Sequence, residues 1–160
     1  MRIGFISTRF HGTDGVSLEA SKWSEILEQD LGHECFWFAG QLDTPEEKSQ
    51  LCSEAFFGGE DVISLHEKLF EPHSFISDEV RSKVTEMEAS LKDSLEKFVS
   101  RFSIDLVVPQ NVLAIPMHVP MGLAVTNLID KGLPAVAHHH DFYWERDRFL
   151  TGCAKEYLVK

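Results

Sequence analysis

The stretch Arg2-Ile3-Gly4-Phe5-Ile6-Ser7-Thr8-Arg9-Phe10-His11-Gly12-Thr13-Asp14-Gly15-Val16-Ser17-Leu18-Glu19-Ala20 decides the fold. Ile3, Phe5 and Ile6 make Arg2–Ser7 a short buried strand that starts almost at once. The loop Thr8–Gly15 follows, with two glycines, Gly12 and Gly15, and with Thr13 or Asp14 to cap the helix after it. In that helix Val16, Ala20, Trp23, Leu27 and Leu31 fall on one face. Gly32 is placed to end it as the C′ residue. Glu34–Ala39 reads as a second strand, rich in aromatics. Strand, helix and strand make a βαβ unit, whose crossover is expected to be right-handed.

Working outward, Gln41–Ser53 is polar, and its Thr44-Pro45-Glu46-Glu47 is a helix start or a loop. A short third strand is expected near Glu54–Phe57, stopped by Gly58-Gly59. Asp61–Phe70 reads as a helix capped by Glu60 or Asp61 and broken by Pro72. Ser77 or Asp78 opens a long helix in which Val80, Val84, Met87, Leu91, Leu95, Phe98 and Phe102 recur every three or four residues. Ile104–Pro109 is another buried strand. A helix runs from Val119 or Pro120 to Lys131, ended by Gly132, and Pro134–Ala137 is a last short strand. Strands alternating with helices predict an α/β domain, a Rossmann-like parallel sheet with helices on both faces, over residues 1–160.

Bulk properties narrow the function classes. A 160-residue chain fits one domain, and 43% hydrophobic with 26% charged residues is the composition of a soluble globule. No apolar run approaches the roughly 20 residues that span a bilayer. The polar N-terminus does not read as a secretory signal, so a cytoplasmic location is expected. Cys35, Cys52 and Cys153 are odd in number and far apart, and read as free thiols. A net charge of −11 repels a phosphate backbone, so no nucleic-acid partner is expected.

Ligands on open α/β sheets bind beyond the carboxyl ends of the strands. Polar and aromatic residues concentrate there. Thr8, Arg9, His11, Gly12, Thr13, Asp14 and Gly15 follow the first strand, and Gln110 and Asn111 follow the Ile104 strand. His138-His139-His140-Asp141, then Phe142, Tyr143, Trp144, Glu145 and Arg146, follow the last. Gly12–Gly15 is G-x-x-G, a poor match to the dinucleotide fingerprint, yet its glycines permit close approach and the helix start offers free N–H groups to an anion. Three consecutive histidines alternate between faces and cannot easily converge on one ion, so no metal is expected. Phe142-Tyr143-Trp144 is either a loop packed on the domain or an aromatic platform beside a sugar or a partner domain. Arg146 could hold an acidic group or balance Glu145. His33, His66 and His73 read as surface or loop residues, and His118 lies too near a helix start to assign.

These segments resemble a known family. Ile3-Gly4-Phe5-Ile6-Ser7-Thr8-Arg9-Phe10-x-Gly12-Thr13-Asp14-Gly15-Val16, Val107-Val108-Pro109-Gln110-Asn111 and Ala137-His138-His139-His140-Asp141-Phe142-Tyr143-Trp144-Glu145-Arg146 resemble the N-terminal domain of retaining glycosyltransferases of the GT-B fold, family 4. The resemblance runs from Ile3 to about Phe149. It implies an acceptor-side domain that works with a donor-binding domain, and catalysis without a metal or other cofactor. The co-substrate would be a nucleotide-diphosphate sugar and the acceptor a sugar or sugar phosphate. Gly12–Gly15 would approach the donor phosphates. His140, with His139 next, would contact the donor sugar, and the acceptor hydroxyl would attack on the leaving-group face. Arg9, Thr13, Asp14, Gln110, Asn111, Asp141, Tyr143, Trp144 and Arg146 complete the expected substrate-binding set.

The family's diphosphate-holding Arg and Lys and its spaced glutamate pair belong to the second domain, and the acids around Glu79–Glu88 do not correspond to them. The expectation is therefore a fragment or truncated product that transfers no sugar alone, and that needs a C-terminal domain or partner subunit or self-associates through the open cleft. A dinucleotide-binding oxidoreductase domain is the competing class. The missing third glycine counts against it, as does Trp37-Phe38-Ala39-Gly40 where an acidic ribose-binding residue is expected. A non-catalytic interaction module is the third.

Overall fold

In the computed structural model, residues 1–72 and 75–158 are described; His73 lies outside them. The strand read from Ile3, Phe5 and Ile6 is β1 (Arg2–Ile6), and it lies inside the sheet, flanked on both sides. The other strands are β2 (Glu34–Ala39), β3 (Ser49–Leu51) and β4 (Leu106–Pro109), in the spatial order β3-β2-β1-β4, all parallel. The chain is thus an α/β protein with a Rossmann-like sheet.

Helices cover both faces because β1 and β2 carry apolar side chains on both. On one face Ile6, Phe36, Phe38 and Val107 pack against α3 (Asp78–Phe102) and α4 (Val119–Asp130) through Leu91, Leu95, Phe98, Met121 and Val125. On the other, Ile3, Phe5, Trp37 and Val108 pack against α1 (Gly15–Gln29), which contributes Ala20 and the partly buried Val16, Trp23 and Leu27. Gly4 lets α3 approach closely: a Cβ there would stand 2.8 Å from the Phe98 ring. A third cluster joins α2 (Glu60–Phe70) and the start of α3 to Phe149 and Ala154 near α5 (Lys155–Leu158).

Pro134–Ala137, expected as a last strand, does not form one: the segment runs parallel beside β4 through isolated bridges only. Val107 N–H donates to Pro134 O at 2.9 Å, and His138 N–H donates to Pro109 O at 2.9 Å.

Several expectations change. The third strand is Ser49–Leu51, not Glu54–Phe57. Backbone pairing with Trp37–Ala39 decides it, since Gln50 is polar and its amide donates to Ser94 O at 2.8 Å. Ser53–Ala55 forms a 3₁₀ turn instead, and the chain then crosses the end of β2 so closely that a Cβ on Gly40 would lie 2.1 Å from Phe56 N. Gly59, not Glu60 or Asp61, occupies the cap of α2, and those two acids sit in its first turn, where the helix dipole favours them. α1 ends at Gln29, so Leu31 is outside it and exposed, and Gly32 (φ +67) turns the chain two residues beyond the Asp30 cap. His66 is neither surface nor loop. It lies in α2, half-buried between Phe70 and Phe149, and burial depresses its pKa. Among the described residues no helix is long and apolar enough to cross a membrane.

Candidate active site

The register makes the strand ends level. Ile6 stands opposite both Phe38 and Pro109, so Ser7 and Gln110 leave the sheet side by side, and Gln110 is bridged in turn to His138. The three chain segments singled out from the sequence therefore meet along one edge. A 190 Å³ pocket opens there, with Arg9 and Asp14 from the first loop, Gln110 and Asn111 after β4, and Asp141 and Arg146 from the last segment on its walls. Phe57 and Met117 also line it.

Asp14 caps α1. Its Oδ1 accepts from Val16 N at 3.1 Å and Ser17 N at 3.2 Å, its Oδ2 accepts from the Ser17 hydroxyl at 2.8 Å, and Arg9 pairs with it at 3.3 Å. Partial burial works against the charge, but the Ser17 hydrogen bonds and then Arg9 outweigh it, and the carboxyl pKa is lowered. Thr13, the alternative cap, is exposed in the turn. Gly12 (φ +74) donates its N–H to Asp43 Oδ2 at 2.8 Å. A Cβ at Gly12 or Gly15 would meet nothing within 4 Å, so this turn faces open space.

Asn111 locks the last segment onto β4. Its left-handed backbone (φ +59), tolerated by Asn, directs its N–H to His138 O at 3.0 Å and its Oδ1 to the His140 N–H at 2.7 Å. The His140 ring Nε2 lies 3.1 Å from Gln110 Oε1, within hydrogen-bond reach. Arg146 pairs with Asp141 at 2.8 Å. Two arginine–aspartate pairs thus share the pocket with one buried amide, and the charges balance.

The histidines alternate as an extended chain requires. His138 stacks on Trp23 of α1 at 4.4 Å and lies 4.4 Å from His140, whereas His139 turns away, 5.7 Å from Phe142. Burial first, and then the neighbouring His140, hold the His138 and His139 pKa values down. No group of three or more His, Cys, Asp or Glu among the described residues could hold a metal ion.

On the His139 side lies a second, apolar cavity of 510 Å³ lined by Phe142, Tyr143, Trp144, Leu123 and Tyr157. The Phe142 and Trp144 rings stack at 4.5 Å. The structure thus places His139, Tyr143 and Trp144 apart from Arg9, Asp14, Gln110, Asn111, Asp141 and Arg146. His140 reaches the polar group through Gln110, and Gly12, Thr13 and Gly15 belong to the turn that carries Asp14 into the pocket.

His118, unassigned from sequence, is 4% exposed. Its Nδ1 accepts from Met121 N at 3.3 Å, capping α4, and its Nε2–H donates to Glu54 O at 2.9 Å. Burial depresses its pKa, which suits a neutral ring bonded at both nitrogens. The nearby Pro120 was a signal for the helix start, but imidazole is not among the usual caps. Phe57 carried no signal. It reaches the pocket through the turn beyond Gly40 and lies under the Arg9 guanidinium, 5.5 Å from its ring centre.

No family model matches the chain, and no solved structure matches it. It is 31% identical, over 162 aligned residues, to a protein of Thermotoga maritima named mannosylglucosylglycerate synthase; the match covers 94% of this chain and 34% of that protein. A protein of the same name from Petrotoga mobilis is 28% identical over 164 residues, covering 99% of this chain and 36% of its own length. The chain spans about a third of the length of the curated relatives it matches.

Proposed function

We propose that this chain forms the acceptor-side domain of a retaining, GT-B-type glycosyltransferase that uses a nucleotide-diphosphate sugar. Two findings support the reading together: the likeness to proteins named as sugar-transferring synthases, and the convergence of the three strand-end segments on one polar pocket. The second finding carries it. A row of balanced Arg–Asp pairs and amides suits hydroxyl groups, which both donate and accept. An open glycine turn at a helix start leaves room for a donor's phosphates.

In this reading His140, held by Gln110 and Asn111, contacts the donor sugar. Arg9, Asp14, Asp141 and Arg146 orient the acceptor. The domain contributes positioning and electrostatic stabilisation, needs no metal, and lowers the barrier by holding the acceptor hydroxyl beside the breaking bond. The names of the relatives point to a mannosyl donor and an acceptor containing glucose and glyceric acid; Arg9 and Arg146 are the cations that a carboxylate on such an acceptor would meet. The 160 residues alone are inactive, because the groups that hold the donor diphosphate reside elsewhere, on a second domain or a partner subunit.

The dinucleotide reading is disfavoured. The end of β2, where a ribose would be held, carries Ala39 and Gly40 and is crossed by the Ala55–Phe56 backbone.

The test is a transfer assay with a panel of mannosyl and glucosyl nucleotide donors and glucosylglycerate as acceptor. It is run on the chain alone and on the chain joined to a donor-binding domain of a relative. Transfer is expected only from the second. Transfer by the chain alone sinks the division of labour, and tight binding of NAD(H) to it sinks the reading altogether.

A further inference from the structure

Gln110 is buried, at 1% exposure, and hydrogen-bonds the ring of a rim histidine. Its backbone N–H donates to Ile6 O at 2.8 Å, so the central strand fixes where it stands. Its Oε1 lies 3.1 Å from His140 Nε2, while its own Nε2 has no hydrogen-bond partner. Gln110 lines the 190 Å³ pocket, and this nitrogen is shielded from solvent. A buried amide nitrogen brings two donors, and leaving them unmatched in the folded protein opposes stability. A ligand oxygen entering the pocket would match them. The pocket is below the roughly 300 Å³ at which drug-sized sites begin, and so suits one sugar ring.

His140 is held at two points. Asn111 Oδ1 takes its backbone N–H at 2.7 Å, and Gln110 Oε1 stands within hydrogen-bond reach of its ring Nε2. With the backbone pinned, the ring proton is the remaining freedom, and the second bond decides it. We infer that Gln110 is a positioning residue with two ends: its carbonyl oxygen fixes His140 in the Nε2–H tautomer, and its NH₂ group donates to a hydroxyl of the bound sugar. Only the second half rests on the sugar-transfer reading above.

Gln110→Glu separates the two ends, since a carboxylate still accepts from His140 but brings no NH₂; Gln110→Leu removes both. Two-bond ¹H–¹⁵N spectra of the labelled chain report the tautomer. Wild type and Gln110→Glu are expected to show His140 protonated on Nε2, and Gln110→Leu a redistributed mixture. Titration with D-glucose is expected to move the Gln110 NH₂ signals and the Gly12 and Gly15 amides in wild type, with affinity weakened several-fold in Gln110→Glu. A wild-type His140 protonated on Nδ1 overturns the positioning role, whether or not Gln110→Leu folds, and so does an unchanged tautomer in Gln110→Leu. Equal glucose affinity in wild type and Gln110→Glu overturns the donor role and leaves the sugar reading standing. No response from any rim amide removes the donor role and the sugar reading together, and the tautomer still decides the first half.

Discussion

On one side of the His138–Asp141 segment the molecule offers two arginine–aspartate pairs and a buried amide in a small pocket. On the other side it offers an apolar cavity more than twice as large, walled by Phe142, Tyr143 and Trp144. Asp141 of this segment lines the first and His139 the second, while the His140 ring turns to Gln110. Each side also has its histidine. His140 sits at the exposed edge and answers to Gln110, whereas His118 is buried and answers to a helix end and to Glu54 O. Size alone would favour the apolar side as the site. Under the sugar-transfer reading proposed above, the polar side is favoured, because its walls carry both donors and acceptors.

The largest expected effect tests the polar side. In the two-domain enzyme proposed above, His140→Ala is expected to lower transfer by about 10²-fold or more, as loss of one preorganised polar contact does. The melting temperature should fall only modestly, since His140 is exposed but the buried Gln110 Oε1 loses its partner. Wild-type turnover by a folded variant would strip the polar side of its role.

His118→Ala should do the reverse. Losing the α4 cap and the partner of the Glu54 carbonyl, and leaving a gap where a buried ring stood, is expected to cost about 2–3 kcal/mol in urea unfolding, while turnover per folded molecule is retained. Acid sharpens this contrast. Burial holds the His118 pKa below its ordinary 6.5, so below that pH the unfolded chain binds a proton that the folded one refuses. The contribution is present above 6.5 and is lost as pH falls towards the depressed folded value. Urea midpoints should drop between about pH 7.5 and 5.5, and His118→Gln should flatten the slope. An unchanged slope in that variant would assign it to the other histidines.

Asp14→Ala removes the α1 cap and the partner of Arg9, with an expected loss of about 1 kcal/mol. Calorimetry gives the value, and a change within error would mean that the open turn, not its cap, sets the helix start. The smallest effect falls on the apolar side. Trp144 is 58% exposed, so Trp144→Ala should change stability by about 0.5 kcal/mol or less and transfer by less than about tenfold. A loss as deep as that of His140→Ala would make the two sides one site.

Much of this was legible in the sequence. Unbroken apolar runs marked β1, β2 and β4, and the three-and-four spacing from Val80 to Phe102 marked α3, whose N-cap is Ser77 as the pattern allowed. The strand-end rule named Arg9, Asp14, Gln110, Asn111, Asp141 and Arg146, which line the pocket, but not Phe57 or Met117, and it also named His139, Tyr143 and Trp144, which do not. The third strand was not legible, because three residues with a polar centre carry no period, and only the neighbouring β2 edge makes them a strand. Nor was the role of His118, whose two ring partners, Glu54 and Met121, come from different elements.

By itself the sequence determined that there is a parallel α/β sheet and which loops stand at its carboxyl ends, since both follow from local periodicity and from the order of elements. Only the tertiary structure decided that these loops share one pocket, that Gln110 is buried at its wall, and that Phe142, Tyr143 and Trp144 line a separate cavity. Those outcomes depend on register between strands distant in the chain and on close backbone contacts such as that at Gly40, and no local pattern encodes either.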